Sequence, residues 1–350
     1  MTGSVHVIVP DAIDDPARPS GGNRYDRRVC SGLAAAGWQV REHTIPDAWP
    51  QLGAGGACAA ARELAELPDG ALVLADGLIA SAGPQVFVPA AGRLALVPLV
   101  HLPLGDDPES RAAEAAVLSA ARAVIATSGW TRERLLAAYP LAAEAVRVAE
   151  PGVDPAPPSL GSEDGTQLLC VGPVSPHKGH DVLLAALVAL VDHPWRATCV
   201  GSLDRDPAFV ARLRLAADAA GLGQRLRLTG PLTGAALDEA YRSADVLVHA
   251  APAEGYGMVV TEALARAVPV IATAAGGLPD ALGHGPDGAR PGILVPPADA
   301  GALTVALRTW LTDAGLRQRL RRTALARRAT LPSWRSTTEQ IAQVLTAAVA

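Results

Sequence analysis

Short apolar segments alternate with segments of helical periodicity along almost the whole chain, and this rhythm restricts the folds open to it. Apolar runs of roughly four to eight residues are typical of buried strands, whereas apolar residues at roughly every third or fourth position are typical of helices. A strand that is followed each time by a helix is typical of a parallel sheet covered by helices. The sequence therefore predicts an α/β protein.

Both halves of the chain show this alternation, and the second half shows it more clearly. In the first half the strand-like segments are residues 5–9, 71–74, 94–100 and 123–126, and the helical segments are 25–36, 112–121 and 131–138. In the second half the strand-like segments are 167–171, 197–201, 225–229, 246–249, 270–273 and 293–295. The helical segments there are 180–191, 207–220, 234–243, 256–267, 299–312, 317–329 and 333–348.

A proline-rich segment separates the two halves. Residues 151–158 hold four prolines and a glycine, and with residues 159–166 they form the best candidate for a linker. A length of 350 residues also favours two domains. We therefore expect two doubly wound, Rossmann-like domains over residues 1–158 and 159–332, facing a cleft. Ligands bind such sheets at the carboxyl ends of the strands, so the cleft is the expected binding site.

Composition excludes several classes of protein. The net charge of -5 argues against nucleic-acid binding, which needs a basic face. The longest apolar stretch, residues 182–191, is about half of what spans a bilayer. The four cysteines lie far apart without a metal-binding spacing, so we expect no structural zinc. Reduced thiols in a cytoplasmic protein are the expected state.

The segment with the clearest chemical pattern is residues 254–262, which read EGYGMVVTE. Glu254 follows a strand-like segment, and Glu262 lies inside the helix predicted next. Gly255 and Gly257 let the backbone approach a ligand closely, and a helix start favours an anion. A carboxylate accepts two hydrogen bonds at once and so suits a sugar diol. The segment is suited to a phosphate flanked by sugars, although an ordinary strand–loop–helix with solvated acids remains an alternative.

The only lysine of the chain, Lys178, lies in the second such segment. Residues 171–179 read VGPVSPHKG and join a predicted strand to a predicted helix. The helix dipole disfavours a cation at this end unless an anion is bound there, and a diphosphate needs a cation. The alternative is an ordinary surface lysine, which is less expected in a chain where arginine has replaced every other lysine.

Three further features of the first half follow strands. Residues 20–25 read SGGNRY, with the only asparagine, Asn23, and two glycines that suit a phosphate or an acceptor group. This is not the GxGxxG pattern, so a dinucleotide site is not indicated. His101 and Asp76 each end a predicted strand and so belong to the edge where ligands bind. A structural role is the alternative for each of these residues.

Together these segments resemble the retaining GT-B glycosyltransferases of the GT4 family. The resemblance covers nearly the whole second half and parts of the first. Its pieces are a Gly…Lys-Gly segment at 172–179, a Glu-x7-Glu motif at 254–262, a GGLP loop within 272–279, the strand at 292–297, the PSW segment at 332–334, the ATS segment at 126–128 with Thr131, and PGVD at 151–154. The combination is specific, whereas no single piece is.

The resemblance implies a nucleotide-sugar donor, most simply a UDP-sugar, bound mainly by the second domain, and a small-molecule or glycan acceptor bound by the first. It implies that the final helix, residues 333–350, crosses back to the first domain. Transfer in this family retains anomeric configuration and needs neither a metal nor another cofactor. The implied site residues are Lys178, Gly22, Met258 and Val259 for the diphosphate; Glu254, Tyr256 and Gly257 for the sugar; Glu262, Gly230 and Leu232 for the nucleoside; Gly21, Asn23 and Asp76 on the acceptor side; and His101 and Glu254 in catalysis.

One departure from the family lies in the proposed diphosphate site. The family's arginine after the glycine is Pro173 here, which removes one of two usual cations. His177 or Arg205 could replace it. Pro173 also keeps open a catalytically weak nucleotide-sugar binding protein, and the shared architecture keeps open a non-hydrolysing nucleotide-sugar epimerase. Lys178 and the paired glutamates favour an active glycosyltransferase.

Association with a membrane is a separate question, because many relatives of this family glycosylate lipids. The first half holds one basic cluster, Arg24, Arg27 and Arg28, with no obvious apolar face beside it. A peripheral membrane protein needs both features, so a soluble enzyme is favoured over one with peripheral membrane contact. The sequence predicts no oligomeric state.

Overall fold

The structure, a computed structural model, describes residues 3–46 and 52–349 and divides the chain into two compact units. Unit 1 comprises Met1–Asp15, Ser20–Gly152 and Pro332–Ala350, and unit 2 comprises Pro16–Pro19 and Val153–Leu331. The chain therefore passes from one unit to the other after Gly152, whereas the sequence analysis placed the boundary after residue 158.

Unit 1 is built on a six-stranded sheet with the order β2-β1-β3-β4-β5-β6, in which every pairing is parallel. The strands are β1 Ser4–Pro10, β2 Gln39–Ile45, β3 Leu72–Asp76, β4 Ala95–Val100, β5 Val124–Ala126 and β6 Val146–Val148. The first six helices are α1 Gly21–Ala35, α2 Ala54–Ala65, α3 Gly77–Ala82, α4 Pro84–Ala91, α5 Pro108–Ala120 and α6 Gly129–Ala138.

Unit 2 has a second six-stranded parallel sheet, with the order β12-β11-β10-β7-β8-β9. Its strands are β7 Gln167–Val171, β8 Arg196–Val200, β9 Leu226–Leu228, β10 Val246–His249, β11 Val270–Thr273 and β12 Gly292–Val295. Its helices are α7 His180–Val188, α8 Pro207–Ala219, α9 Gly234–Arg242, α10 Met258–Ala265, α11 Leu278–Leu282, α12 Ala300–Thr312 and α13 Ala314–Arg327. The predicted α/β architecture with two parallel sheets is confirmed.

The two edge strands of the first sheet were not predicted. β2 reads QVREHTI and is largely exposed, so it lacks the apolar run of a buried strand. β6 has only three residues, one of them an exposed arginine. An edge strand has a neighbour on one side only, and its side chains remain in contact with water. The central strands β3 and β4 are buried throughout, as parallel strands covered by helices on both faces should be.

The last helix, α14 (Trp334–Ala348), belongs to unit 1 and packs on α1. The two helices approach closely at Gly32, where a Cβ would lie 2.2 Å from Oγ1 of Thr338. Trp334 packs edge-on against Tyr25 with ring centroids 5.7 Å apart. A Cβ on Gly152 would meet the backbone nitrogen of Trp334 at 2.1 Å, so a larger residue does not fit there.

Candidate functional site

The strand order of the second sheet reverses between β7 and β10, which pair directly although the strands β8 and β9 lie between them in the chain. In doubly wound sheets this switch point opens a crevice at the carboxyl ends of the strands, where ligands bind. Lys178 lies in the loop after β7, and Glu254 lies in the loop after β10. Their Nζ and Oε2 atoms are 2.6 Å apart, so the structure brings together two residues that the sequence predicted for one site.

The loop that carries Lys178 depends on two glycines. Gly179 has φ of 67° and precedes α7, and a Cβ there would lie 2.0 Å from the carbonyl oxygen of Ala250. Gly172 has φ of 150°, and its carbonyl oxygen would be 1.9 Å from a Cβ on Gly201. Gly179 and Gly201, which has φ of 158°, both combine positive φ with close backbone approach, which only glycine tolerates. These contacts hold the Lys178 segment against the carboxyl ends of its neighbouring strands.

Glu254 has a second polar neighbour, because Nε2 of His249, the last residue of β10, lies 3.1 Å from its Oε2. Burial alone would raise the pKa of Glu254, but Lys178 and His249 together lower it to about 2. The carboxylate is thus ionised at any physiological pH. Nδ1 of His249 is buried without a hydrogen-bond partner among the described residues.

The backbone around Glu254 is fixed by the GGLP loop. Gly276 has φ of 56°, and a Cβ there would lie 1.8 Å from the carbonyl oxygen of Glu254. The nitrogen of Gly277 donates a hydrogen bond of 2.9 Å to the same oxygen. Gly257, with φ of 97°, precedes α10 and turns the chain into that helix. The loop that carries Glu254 and the GGLP loop, which were identified separately in the sequence, therefore pack directly against each other.

Glu262 lies on α10 and is 7% exposed. Its Oε2 accepts a hydrogen bond of 2.9 Å from the hydroxyl of Tyr241, which orients the carboxylate. Tyr256 is buried beneath the same loop, and Met258 and Val259 are half-buried in the first turn of α10. These placements are compatible with the predicted sugar, phosphate and ribose contacts, which remain predictions.

The two predicted nucleoside contacts follow β9. Gly230 has φ of 79°, and its carbonyl oxygen accepts a hydrogen bond of 3.0 Å from the nitrogen of Gly201. Leu232 is half-buried and packs against the core around Tyr241 and Leu264. Both therefore lie in loops at the carboxyl end of the second sheet, and their contact with a nucleoside stays a prediction.

The first sheet also has a switch point, between β1 and β3, and a second charged cluster lies at its carboxyl edge. Nε2 of His101, directly after β4, is 2.9 Å from Oδ1 of Asp26 on α1. Oδ2 of Asp76, at the end of β3, lies 3.9 Å from the same nitrogen. The other oxygen of Asp26, Oδ2, is buried and has no hydrogen-bond partner in the described part of the chain.

The protonation of this cluster differs from that of an isolated histidine. Burial alone would lower the pKa of His101, but Asp26 and Asp76 raise it to about 9. Burial and the charge of Asp26 raise the pKa of Asp76 to about 7, despite the opposing effect of His101. At neutral pH His101 is therefore an imidazolium paired with Asp26.

The start of α1 borders this cluster. A Cβ on Gly22 would lie 3.4 Å from the ring of His101, so the glycine keeps the imidazolium face open to close approach. Ser20 caps the helix by accepting a hydrogen bond of 3.1 Å from the nitrogen of Asn23, and Gly21 is exposed in the first turn. The side chain of Asn23 donates a hydrogen bond of 3.1 Å to the carbonyl oxygen of Ala12, which gives it a structural role in addition to the predicted one.

Sequence reasoning missed two residues of these clusters. His249 ends a predicted strand, and the rule that identified His101 would have found it. Asp26 has no such signal, because it lies within a helix and meets His101 only through the packing of α1 beside β4.

Two of the four cysteines, which lie far apart in the sequence, come together in the structure. Cys170 of β7 and Cys199 of β8 are register partners on adjacent strands, and both lie beside His180. Each cysteine opens a Cys-Val-Gly sequence, at residues 170–172 and 199–201, and this repeat could have indicated the register.

The basic cluster near α1 is partly neutralised. Arg27 forms ion pairs with Asp14, at 2.7 Å, and with Glu42, at 2.7 Å. The guanidinium of Arg28 lies over the ring of Trp334. In the described part of the chain, no helix is both long enough and apolar enough to cross a bilayer.

Comparison with known proteins gives a consistent result. A family model described as "Glycosyl transferases group 1" matches residues 155–327. A D-inositol 3-phosphate glycosyltransferase of Kineococcus radiotolerans is 33% identical over 299 residues, covering 72% of this chain and 67% of that protein. One of Catenulispora acidiphila, named D-inositol 3-phosphate glycosyltransferase 1, is 30% identical over 297 residues, covering 78% of this chain and 69% of that protein.

Solved structures match nearly the whole chain. Sucrose-phosphate synthase from Thermosynechococcus elongatus has a TM-score of 0.81 at 24% identity, covering 99% of this chain and 98% of the other. HepE from Anabaena, in complex with UDP-glucose, has a TM-score of 0.78 at 18% identity, covering 98% of this chain and 99% of the other. At these identities the two structures show a shared fold.

Proposed function

Because the chain belongs to the group 1 glycosyl transferases, and is a glycosyltransferase of the GT4 type, we propose that it transfers a sugar from a UDP-sugar to a small hydroxylated acceptor. We further propose that transfer retains anomeric configuration and uses no catalytic metal ion. The observation that carries the proposal is the ion pair between Lys178 and Glu254 at the switch point of the second sheet.

The proposed binding step exchanges partners within this pair. Without a ligand, Glu254 neutralises Lys178. When a donor binds, the diphosphate takes over the ammonium group, and the ionised Glu254 accepts hydrogen bonds from sugar hydroxyls. A charge-assisted hydrogen bond contributes about 1.5–3 kcal/mol, so both new contacts replace the broken pair at little cost. Glu262, held by Tyr241, then accepts hydrogen bonds from the ribose.

The cluster around His101 has a separate role in this proposal. An imidazolium held by Asp26 donates hydrogen bonds and carries a positive charge, which suits an oxygen that gains negative charge during transfer. In this proposal His101 contacts the transferred sugar near the reacting carbon. The first turn of α1, with Gly21, Gly22 and Asn23, contacts the acceptor or the phosphate. The leaving phosphate takes the proton of the attacking hydroxyl, so no protein base is needed for that step.

The choice of donor and acceptor rests on relatives. HepE is described in complex with UDP-glucose, which supports UDP as the first nucleotide to test. Two relatives are named as D-inositol 3-phosphate glycosyltransferases, which supports a phosphorylated polyol as the first acceptor. This chain covers about two thirds of each of these relatives, so acceptor specificity is open to test.

The decisive experiment incubates the protein with UDP-, GDP- and ADP-sugars and follows nucleotide release with and without acceptors. Acceptor-dependent release identifies transfer, binding without turnover identifies a nucleotide-sugar binding protein, and an altered donor sugar identifies an epimerase. The anomeric configuration of the product, measured by NMR, tests retention. A rate that is unchanged by EDTA tests the absence of a catalytic metal, and a loss restored by Mg²⁺ would contradict it.

A further inference from the structure

A second cluster of reactive side chains lies within unit 2 and takes no part in the proposed transfer. Cys170, Cys199 and His180 are 3%, 1% and 2% exposed, so all three are enclosed by protein. The sulfur of Cys170 lies 3.6 Å from Nε2 of His180. One ligand atom from each of the three side chains lies within 4.8 Å of the other two. Two thiols and an imidazole thus converge on one point inside the core.

The spacing of these atoms fits a metal ion. With bonds of about 2.3 Å to sulfur and 2.0–2.1 Å to nitrogen, a tetrahedral zinc ion sets sulfur and nitrogen about 3.6 Å apart. The separation of Cys170 and His180 has that value. The same geometry sets two sulfurs about 3.8 Å apart, which lies inside the limit observed for this cluster. Binding therefore needs only small side-chain movements.

The orientation of His180 supports the same conclusion. Its Nδ1 faces the carbonyl oxygen of Ser175 at 3.4 Å, so this nitrogen carries the proton and Nε2 presents its lone pair toward the sulfurs. Metal-binding histidines commonly donate the other ring N–H to a backbone carbonyl in this way. The contact of Nδ1 with Ser175 is long for a hydrogen bond to oxygen, and a buried polar group with a weak partner is destabilising. A bound cation would give Nε2 of His180 a strong partner.

We propose that Cys170, Cys199 and His180 bind a soft, thiophilic metal ion, Zn²⁺ or Cu⁺, as a structural centre of unit 2. Two thiolates and an imidazole are the ligands that these ions share. The ion would join β7, β8 and the first residue of α7. His180 follows Lys178 by two positions, so the centre would also fix the end of the loop that carries the lysine. This inference does not rest on the proposed transferase activity.

The test uses the full chain purified without a histidine tag and with thiols reduced. Elemental analysis measures zinc and copper in the protein as isolated, and we expect about one equivalent of one of them. Stripped protein is then titrated separately with Zn²⁺ and with Cu⁺ under anaerobic conditions, which distinguishes the two ions. Thermal unfolding should shift upward with metal concentration, because an ion that binds only the folded state stabilises it.

The variants Cys170→Ser, Cys199→Ser and His180→Gln should each lower metal affinity at least tenfold. Cys30→Ser is the matched control, because Cys30 is also buried, at 2% exposure, but lies in unit 1. It should bind metal as the unsubstituted protein does. If a site variant does not fold, the titration and thermal shift of the unsubstituted protein still decide the question.

Several outcomes would overturn the proposal. The first is a metal content below about a tenth of an equivalent together with no thermal shift on addition of metal. The second is metal binding that persists when both cysteines are replaced. The third is a thiol count that shows Cys170 and Cys199 joined as a disulfide in the isolated protein. Neither activity nor its absence enters these readouts, so failure of the transferase proposal would leave them interpretable.

Discussion

The two charged clusters occupy equivalent places in the two sheets but hold protons in opposite ways. In unit 2 one carboxylate, Glu254, faces the side chains of Lys178 and His249, and its pKa falls to about 2. In unit 1 one histidine, His101, faces two carboxyl groups, and its pKa rises to about 9. The topology fixes where the charges gather, because loops after parallel strands meet at one edge. The charges that surround the central group then decide whether its pKa is lowered, as for Glu254, or raised, as for His101.

This difference assigns the clusters different chemistry. In unit 2 an ionised carboxylate lies beside a lysine that can exchange this carboxylate for another anion. Such a pair is suited to binding an anion that also carries hydroxyl groups. An imidazolium that stays protonated up to about pH 9 is suited to stabilising negative charge rather than to accepting a proton. Four predictions test this contrast.

The largest effect is expected at Lys178. Lys178→Ala should lower kcat/KM for the donor by about 10- to 150-fold, because a charge-assisted contact of about 1.5–3 kcal/mol is lost. The measurement is nucleotide release with the preferred donor. Lys178→Arg keeps the charge but changes shape and reach. Full activity of the arginine variant would show that no specific lysine is needed, and full activity of the alanine variant would contradict the diphosphate role.

A second prediction concerns the protonation of His101. In Asp26→Asn, the pKa of His101 should fall from about 9 toward its ordinary value of 6.5, because Asp26 is the nearer of the two carboxylates. NMR titration of the imidazole measures it, with the signal assigned from His101→Gln. Asp14→Asn is the control, since Asp14 pairs with Arg27 in the same unit. A His101 pKa that does not change would remove Asp26 as its positioning residue.

The two units should also respond to pH in opposite directions. The lowered pKa of Glu254 contributes stability that is present above pH 4.5 and is lost as the pH falls through about 2. The raised pKa of His101 contributes stability that is present below pH 6.5 and is lost as the pH rises through about 9. Hydrogen exchange followed by mass spectrometry reports each unit separately. Glu254→Gln should reduce the acid loss in unit 2, and His101→Gln should reduce the loss above pH 6.5 in unit 1. An acid loss in unit 2 that Glu254→Gln leaves unchanged, or an alkaline loss in unit 1 that His101→Gln leaves unchanged, would contradict the contrast.

The smallest effect is expected at His177, which could replace the arginine lost at Pro173. The side chain is exposed, and an exposed charge contact contributes about 0.2–1 kcal/mol. His177→Ala should therefore raise the donor dissociation constant by at most about fivefold, measured by calorimetric titration. Arg205→Ala provides the comparison, because Arg205 is the other candidate. Unchanged affinity in the histidine variant would remove His177 from that role.

The sequence predicted the features that are local in the chain. Lys178, Glu254 and Glu262 were found because each lies in a short segment whose glycines and strand-end position carry the signal. The GGLP loop was recognised by resemblance, and the structure gives its physical reason, since Gly276 and Gly277 contact the backbone beside Glu254. The assignment of parallel sheets followed from alternation alone.

Features that depend on tertiary packing were not predicted. Asp26 reaches His101 only because α1 crosses the carboxyl edge of the first sheet, and no local pattern encodes that meeting. Cys170 and Cys199 lie far apart in the sequence, yet the pairing of β7 with β8 sets them side by side. The exposed edge strand Gln39–Ile45 lacks a buried face, so hydropathy could not reveal it.

The position of α14 has a consequence for how the protein is made. Unit 2 has all of its residues once Leu331 has been synthesised, whereas unit 1 still lacks the helix that packs on α1. One face of α1, including Gly32 and Tyr25, therefore remains uncovered by α14 until the last residues of the chain have been synthesised. Unit 1 thus cannot complete its packing before unit 2 has been synthesised, although it contains the amino-terminal residues of the chain.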